Sequence, residues 1–277
     1  MKGRICLVTG ANRGIGFETA RALAKRGAAV VLLCRDAAKG EAARKAIADE
    51  AKNPNVEVLA CDLSLQSDIR RAAAELKARH DKLHVLVNCA GIFLRQREVT
   101  AEGVERVWAT NYLSHFLLTH LLLDTLKASA PARIINVATK TMGLKLDLDN
   151  LGLEKGYSFM TAMGRTKLAL ILFTMELARR LEGTRVTVNA MHPGVVKTEL
   201  LNDLPGALAF LFGLFARSPE KGASTAIYLA TSPEVEAISG KLFADEKQVA
   251  IGGQALEPGL AERLWKVSGT MAGVSVG

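Results

Sequence analysis

Short apolar, β-branched runs alternate along the chain with longer stretches whose apolar residues recur every three or four positions. The first kind, near residues 4–9, 29–33, 56–60, 83–88, 133–137 and 185–191, predicts strands. The second kind predicts helices over 14–26, 37–51, 67–79, 101–126 and 162–181. Strands that alternate with helices imply a parallel sheet covered on both faces, a doubly wound α/β fold. No linker, low-complexity tract or internal repeat interrupts the series, so one domain is expected over residues 1–277.

The pattern changes after residue 200. Residues 204–216 form an apolar segment with three phenylalanines, and 201–220 is expected to be a lid over an apolar substrate; a buried helix or an oligomer contact fits the same run. Residues 269–277 are small and weakly patterned, and are expected to fray.

An apolar content of 49% in 277 residues is ample for a core. The longest apolar stretches fall short of the roughly 20 residues needed to cross a bilayer, so no transmembrane segment is expected. Lys2 and Arg4 precede only a short run before Gly10, Ala11 and Asn12, which does not fit a secretory leader and leads to an expectation of a cytoplasmic protein. Net charge is +8, but Lys and Arg are dispersed, so a nucleic-acid partner is not expected. Cys6, Cys34, Cys61 and Cys89 lie too far apart for a zinc site and read as reduced core residues.

The first strand runs into Thr9-Gly10-Ala11-Asn12-Arg13-Gly14-Ile15-Gly16, where a helix begins. Glycines there let the backbone turn tightly and approach a pyrophosphate at a helix N-terminus. The second strand ends Leu33-Cys34-Arg35, without the carboxylate that would hold a ribose 2′-hydroxyl. Arg13 and Arg35 instead suit a 2′-phosphate, which favours NADP(H) over NAD(H).

In order and spacing, the 9–16 loop, Cys61-Asp62-Leu63, Asn88-Cys89-Ala90-Gly91, Asn111, Lys167 and Pro193-Gly194 resemble the short-chain dehydrogenase/reductases, a Rossmann-type family. The stretches 33–36, 111–119 and 232–241 look most like its retinol dehydrogenase and WW-domain-oxidoreductase branch. By that resemblance Asp62 and Leu63 would lie at the adenine. Asn88, Ala90 and Gly91 would support the adenosine ribose, and Pro193, Gly194, Val196 and Thr198 would lie along the nicotinamide. Pairing into a homodimer or homotetramer through the two long helices is implied as well.

The family's active site is an Asn-Ser-Tyr-Lys set. The resemblance places Asn111 and Lys167 in it, and Thr139 at the serine. At the tyrosine it places Met163, in Met163-Gly164-Arg165-Thr166-Lys167. A thioether has no proton to give, and a positioned acid or base is worth on the order of 100- to 10,000-fold in rate. Tyr157, Lys167 and water are the candidate substitutes. The branch carries a tyrosine at 157 beside its catalytic one, which favours a pocket or packing role for Tyr157. The five histidines, His80, His84, His115, His120 and His192, are read as structural.

Three functions fit. The first is an NADP(H)-dependent oxidoreductase acting on a lipophilic or polyketide-like carbonyl or alcohol with an atypical proton donor. The second is a non-redox catalyst of cyclisation, isomerisation or elimination. The third is an NADP(H)-binding scaffold or sensor. Hydride transfer depends chiefly on holding the nicotinamide against a carbonyl carbon, which puts the first ahead.

Overall fold

A computed structural model describes residues 1–140, 143–196 and 217–276. Strands β1 (Ile5–Thr9), β2 (Ala29–Cys34), β3 (Val56–Ala60), β4 (Val85–Asn88), β5 (Ala132–Val137) and β6 (Val186–His192) fall on the six apolar runs. Two short strands follow that the pattern does not announce, β7 (Leu242–Ala244) and β8 (Lys247–Val249). The sheet order is β3-β2-β1-β4-β5-β6-β7-β8, parallel through β7 and closed by an antiparallel β7·β8 edge.

Side chains alternate across this sheet, so each strand feeds two cores. On one face Leu7, Val31, Leu33, Ile134 and Val188 pack against helices α5 (Ser114–Ala128) and α6 (Phe159–Arg180). On the other, Cys6, Val8, Val30, Leu32 and Ile135 pack against α1 (Gly14–Lys25). The remaining long helices are α2 (Ala37–Ala51), α3 (Gln66–Arg79), α7 (Pro219–Thr231) and α8 (Leu260–Ala272), with a single helical turn α4 at Arg106–Trp108.

The continuous helix expected over 101–126 is broken at its start. Gly103, at φ +79°, closes a turn by donating its N–H to the Thr100 carbonyl at 2.9 Å. Buried Glu105 then caps α4, accepting from the N–H groups of Val107 at 2.9 Å and Trp108 at 2.7 Å. Between α4 and α5 the chain makes a π-turn over Ala109–Leu113, a wider winding that is common where a helix carries a functional side chain. Asn111 sits in its middle.

The expected frayed tail is corrected. Residues 269–272 are the last turn of α8, where Gly269, Ser268 and Ala272 are buried. Arg70 donates to the carbonyls of Ala272 at 2.5 Å and Gly273 at 3.1 Å, and Gln66 donates to Met271 at 3.0 Å. Val274 and Val276 pack on the core, with Val276 lying so close to Gly269 that a Cβ there would come within 2.3 Å of it. Small residues near this terminus thus permit close packing. Of the expected lid at 201–220, only 217–220 fall within the described residues, and Pro219 and Glu220 open α7. Among the described residues no helix is long and apolar enough to cross a membrane.

Candidate active site

The sheet's strand order reverses between β1 and β4, and in open α/β sheets ligands bind at the carboxyl edge of such a point. The Gly-rich loop leaves β1 there. Gly10 adopts φ +65°, and a Cβ on Gly16 would sit 2.4 Å from the Gly10 carbonyl oxygen, so the loop closes only with glycine at both positions. Helix α1 begins at Gly14 with Arg13 as its N-cap residue. The Arg13 side chain does not cap the helix and the first turn carries no acid, so no side chain caps the helix's first N–H groups, a setting that suits an anion. Arg13 and Arg35 are exposed, whereas Asn12, Gly14 and Ile15 are half-buried.

The β1 and β4 ends are locked together by Thr9, whose hydroxyl accepts from the N–H groups of Cys89 and Ala90, both at 2.9 Å. Beside them, Asp62 is half-buried and accepts from the Ser64 N–H at 2.9 Å, which shapes the turn after β3, while Leu63 is buried in the core. The Asn88 side chain turns inward. It donates to Thr119 Oγ1 at 3.0 Å and Asn136 Oδ1 at 2.9 Å, and Asn136 donates to Thr174 Oγ1 at 2.9 Å, so a buried polar ladder ties β4 and β5 to α5 and α6. Asn88 is fully buried, and the groups its segment leaves at the sheet edge are those of the half-buried Ala90-Gly91 turn.

Asn111 clamps the chain just after that turn. Its Oδ1 accepts from the Ile92 N–H at 2.7 Å and its Nδ2 donates to the Ile92 carbonyl at 2.9 Å. The same Nδ2 lies 3.4 Å from the sulfur of Met163, one helical turn before Lys167 on α6. Lys167 Nζ donates to the Val137 carbonyl at 2.7 Å. Desolvation depresses the lysine to about 8, partly offset by the nearby Cys89 sulfur. Burial pushes the Cys89 thiol up to about 12, so it stays protonated at neutral pH.

Thr139, half-buried just beyond β5, places Oγ1 3.1 Å from His192 Nδ1. Reading the sequence alone missed this pairing, although the parallel β5·β6 ladder, with Val137 opposite Met191, brings the two strand ends side by side. Tyr157 is not hydrogen-bonded to Thr139, Met163 or Lys167. Its hydroxyl donates to the Leu94 carbonyl at 2.9 Å, and its ring packs with Val107, Leu153 and Ala162. Burial and the Glu105 carboxylate raise its pKa. Past β6, Gly194 turns at φ +77°, and buried Val196 bridges to Arg217; Thr198 lies outside the described residues.

Residues 4–207 match the short chain dehydrogenase family. The chain belongs to that family. It is 44% identical to retinol dehydrogenase 12 of Homo sapiens over 277 residues, 99% of this chain and 88% of the relative. Among solved structures, an uncharacterized protein from Mycobacterium Paratuberculosis superposes with TM-score 0.81 at 31% identity, covering 99% of this chain and 95% of that one. The Pseudomonas aeruginosa RhlG/NADP active-site complex superposes at 0.72 with 27% identity, covering 92% and 98% respectively. As a short-chain dehydrogenase the chain is an oxidoreductase of a family that binds NAD(P)(H).

Proposed function

We propose that this short-chain dehydrogenase is NADP(H)-dependent and interconverts a lipophilic carbonyl and its alcohol, with Met163 standing where the family's proton-carrying tyrosine would be. The observation that carries the reading is the contact of Asn111 with Met163 at 3.4 Å, one turn from Lys167. A thioether thus lies between the retained Asn111 and Lys167. The nicotinamide, when bound, supplies or receives a hydride. Lys167, as an ammonium, would hold the nicotinamide ribose, and the Thr139 hydroxyl would hydrogen-bond the substrate oxygen. The uncapped start of α1 would take the pyrophosphate, with Arg13 and Arg35 at the 2′-phosphate. Asp62 and Leu63 would border the adenine. Ala90 and Gly91 would border the adenosine ribose, and Pro193, Gly194 and Val196 the nicotinamide.

An apolar substrate is supported by the Phe93–Phe159 pair, with ring centroids 4.9 Å apart, and by Met160 beside it, 59% exposed. The retinol dehydrogenase relatives point the same way. Met163, lacking a proton, also favours the second reading, a non-redox reaction on a bound apolar ligand. Steady-state assays with NADPH or NADP⁺ and a panel of lipophilic aldehydes, ketones and alcohols separate the two. Cofactor consumption matched to product supports the redox reading, and tight NADPH binding without consumption refutes it.

A further inference from the structure

We infer that His192 serves as a proton relay behind Thr139, taking over through that hydroxyl the proton transfer that Met163 cannot perform; this rests on the redox reading above. The β5·β6 ladder is continued past Val137–Met191 by an N–H of Ala138 donating to the Met191 carbonyl at 2.8 Å, and the next side chains are the Thr139 hydroxyl and the His192 ring. They meet at 3.1 Å through Nδ1. Both are half-buried at the edge where Lys167 is fixed on the Val137 carbonyl. With the hydroxyl donating to Nδ1, the ring is held as the Nε2–H tautomer, and the threonine oxygen keeps its acceptor positions for a substrate hydroxyl.

Among the described residues the other proton carriers near this edge are engaged or inert, Lys167 through its bond to the Val137 carbonyl. Tyr157 is bonded to Leu94, and the Cys89 thiol is held protonated at neutral pH. Of the other histidines, His80 pairs with Glu57 and His84 accepts the Ile5 N–H. His115 is fully buried with neither ring nitrogen hydrogen-bonded, and His120 stacks on Phe116. Among the described residues the groups facing His192 are Lys140, Arg217 and Lys167, which disfavour its protonation, and Asp245, which favours it but is itself paired with Arg217. Burial is the largest influence and also lowers its pKa. The ring is therefore a neutral base at pH 7.

In alcohol oxidation the carbinol O–H bond breaks and its proton passes to Thr139 Oγ1 as the threonine's own proton passes to His192 Nδ1. The hydride leaves the carbinol carbon for the oxidised nicotinamide, and the C=O bond forms. The imidazolium then returns one proton to water. Reduction runs the same path backwards. His192 acts here only through the Thr139 hydroxyl, as a positioning and relay residue.

The test uses the full chain with His192→Asn, which can keep a hydrogen-bonding group near Nδ1 but does not titrate, together with Thr139→Ser and Thr139→Val. In the wild type, alcohol oxidation should fall with pH along an acid limb lying below about 6.5. His192→Asn should abolish that limb and lower kcat by about 100-fold or more, with KM and NADP⁺ affinity unchanged. Thr139→Ser should keep the limb and Thr139→Val should lose it. Independently of turnover, nitrogen NMR of the cofactor-free protein should show His192 Nδ1 unprotonated at pH 7, with a titration midpoint that moves in Thr139→Val. A wild type that turns over while His192→Asn keeps its rate and its acid limb overturns the relay and leaves the redox reading standing. A wild type that binds NADPH but transfers no hydride overturns both.

Discussion

The side-chain nitrogen of Asn111 lies 3.4 Å from the sulfur of Met163 while the rest of its amide is spent on both backbone groups of Ile92. Asn111 thereby fixes the loop after Gly91 and meets position 163 with a donor that a phenol oxygen would accept better than a thioether does. Met163→Tyr should place a hydroxyl against that donor and one turn from Lys167. Carbonyl reduction should rise by about 100-fold or more, the low end of what a positioned acid contributes. Steady-state kcat at fixed NADPH checks this, and an unchanged kcat would mean that position 163 does not border the reacting oxygen.

Arg35 is exposed directly after β2, with no carboxylate between it and Leu33. Replacing it by alanine should weaken NADPH by about 10- to 100-fold, the range of a lost charge-assisted hydrogen bond of about 1.5–3 kcal/mol. NADH, which lacks the 2′-phosphate, should change little. Fluorescence titration of both nucleotides reads the difference.

Arg165, in the Met163–Lys167 stretch, forms a salt bridge with Glu105 in which the two side chains are 3% and 0% exposed. The guanidinium also lies 5.1 Å from the Trp108 ring centre, while its Nε and Nη1 have no hydrogen-bond partner. Glu105→Ala leaves that cation buried and uncaps α4, so urea denaturation should report a loss of about 3–5 kcal/mol. Joining it to Arg165→Met should recover much of the loss, because the unpaired charge goes too.

His115 is fully buried without a hydrogen-bond partner on either nitrogen, and burial lowers its pKa from 6.5 to about 3. The native state therefore holds it neutral, whereas the unfolded chain protonates it near 6.5. Its contribution is complete above about 6.5 and is lost progressively as pH falls from there toward about 3. Urea midpoints at pH 7.5 and 5.0 should differ in the wild type, and the gap should narrow in His115→Phe.

Much of the frame was legible because β-branched runs buried on both faces, such as Val30 to Leu33, cannot be mistaken for amphipathic helices. The glycine loop was legible for a similar reason, since few backbones tolerate only glycine at both Gly10 and Gly16. What stayed hidden depends on contacts between distant segments. The π-turn at Asn111 follows from the Gly103 turn and the Glu105 cap, not from periodicity, which runs on without a break. The docked tail uses Gly269 and Ala272 as close-packing residues, which a hydropathy pattern reads as weak. The resemblance places Asn88 at the adenosine ribose, and no hydropathy pattern shows that its amide also joins a buried ladder with Asn136 and Thr119. His192 carries no signal in the sequence because its partner, Thr139, is 53 residues away.

The central claim is that hydride moves at this site despite a thioether at position 163. It is tested most directly by single turnover with NADPH deuterated at the nicotinamide C4, followed by mass spectrometry of the alcohol formed from a lipophilic aldehyde. The account predicts deuterium on the carbinol carbon from the unaltered protein, at a rate that Met163→Tyr increases. Label transfer by Met163→Tyr alone, with the unaltered protein binding NADPH but leaving it unspent, would contradict it and assign the native site to non-redox chemistry.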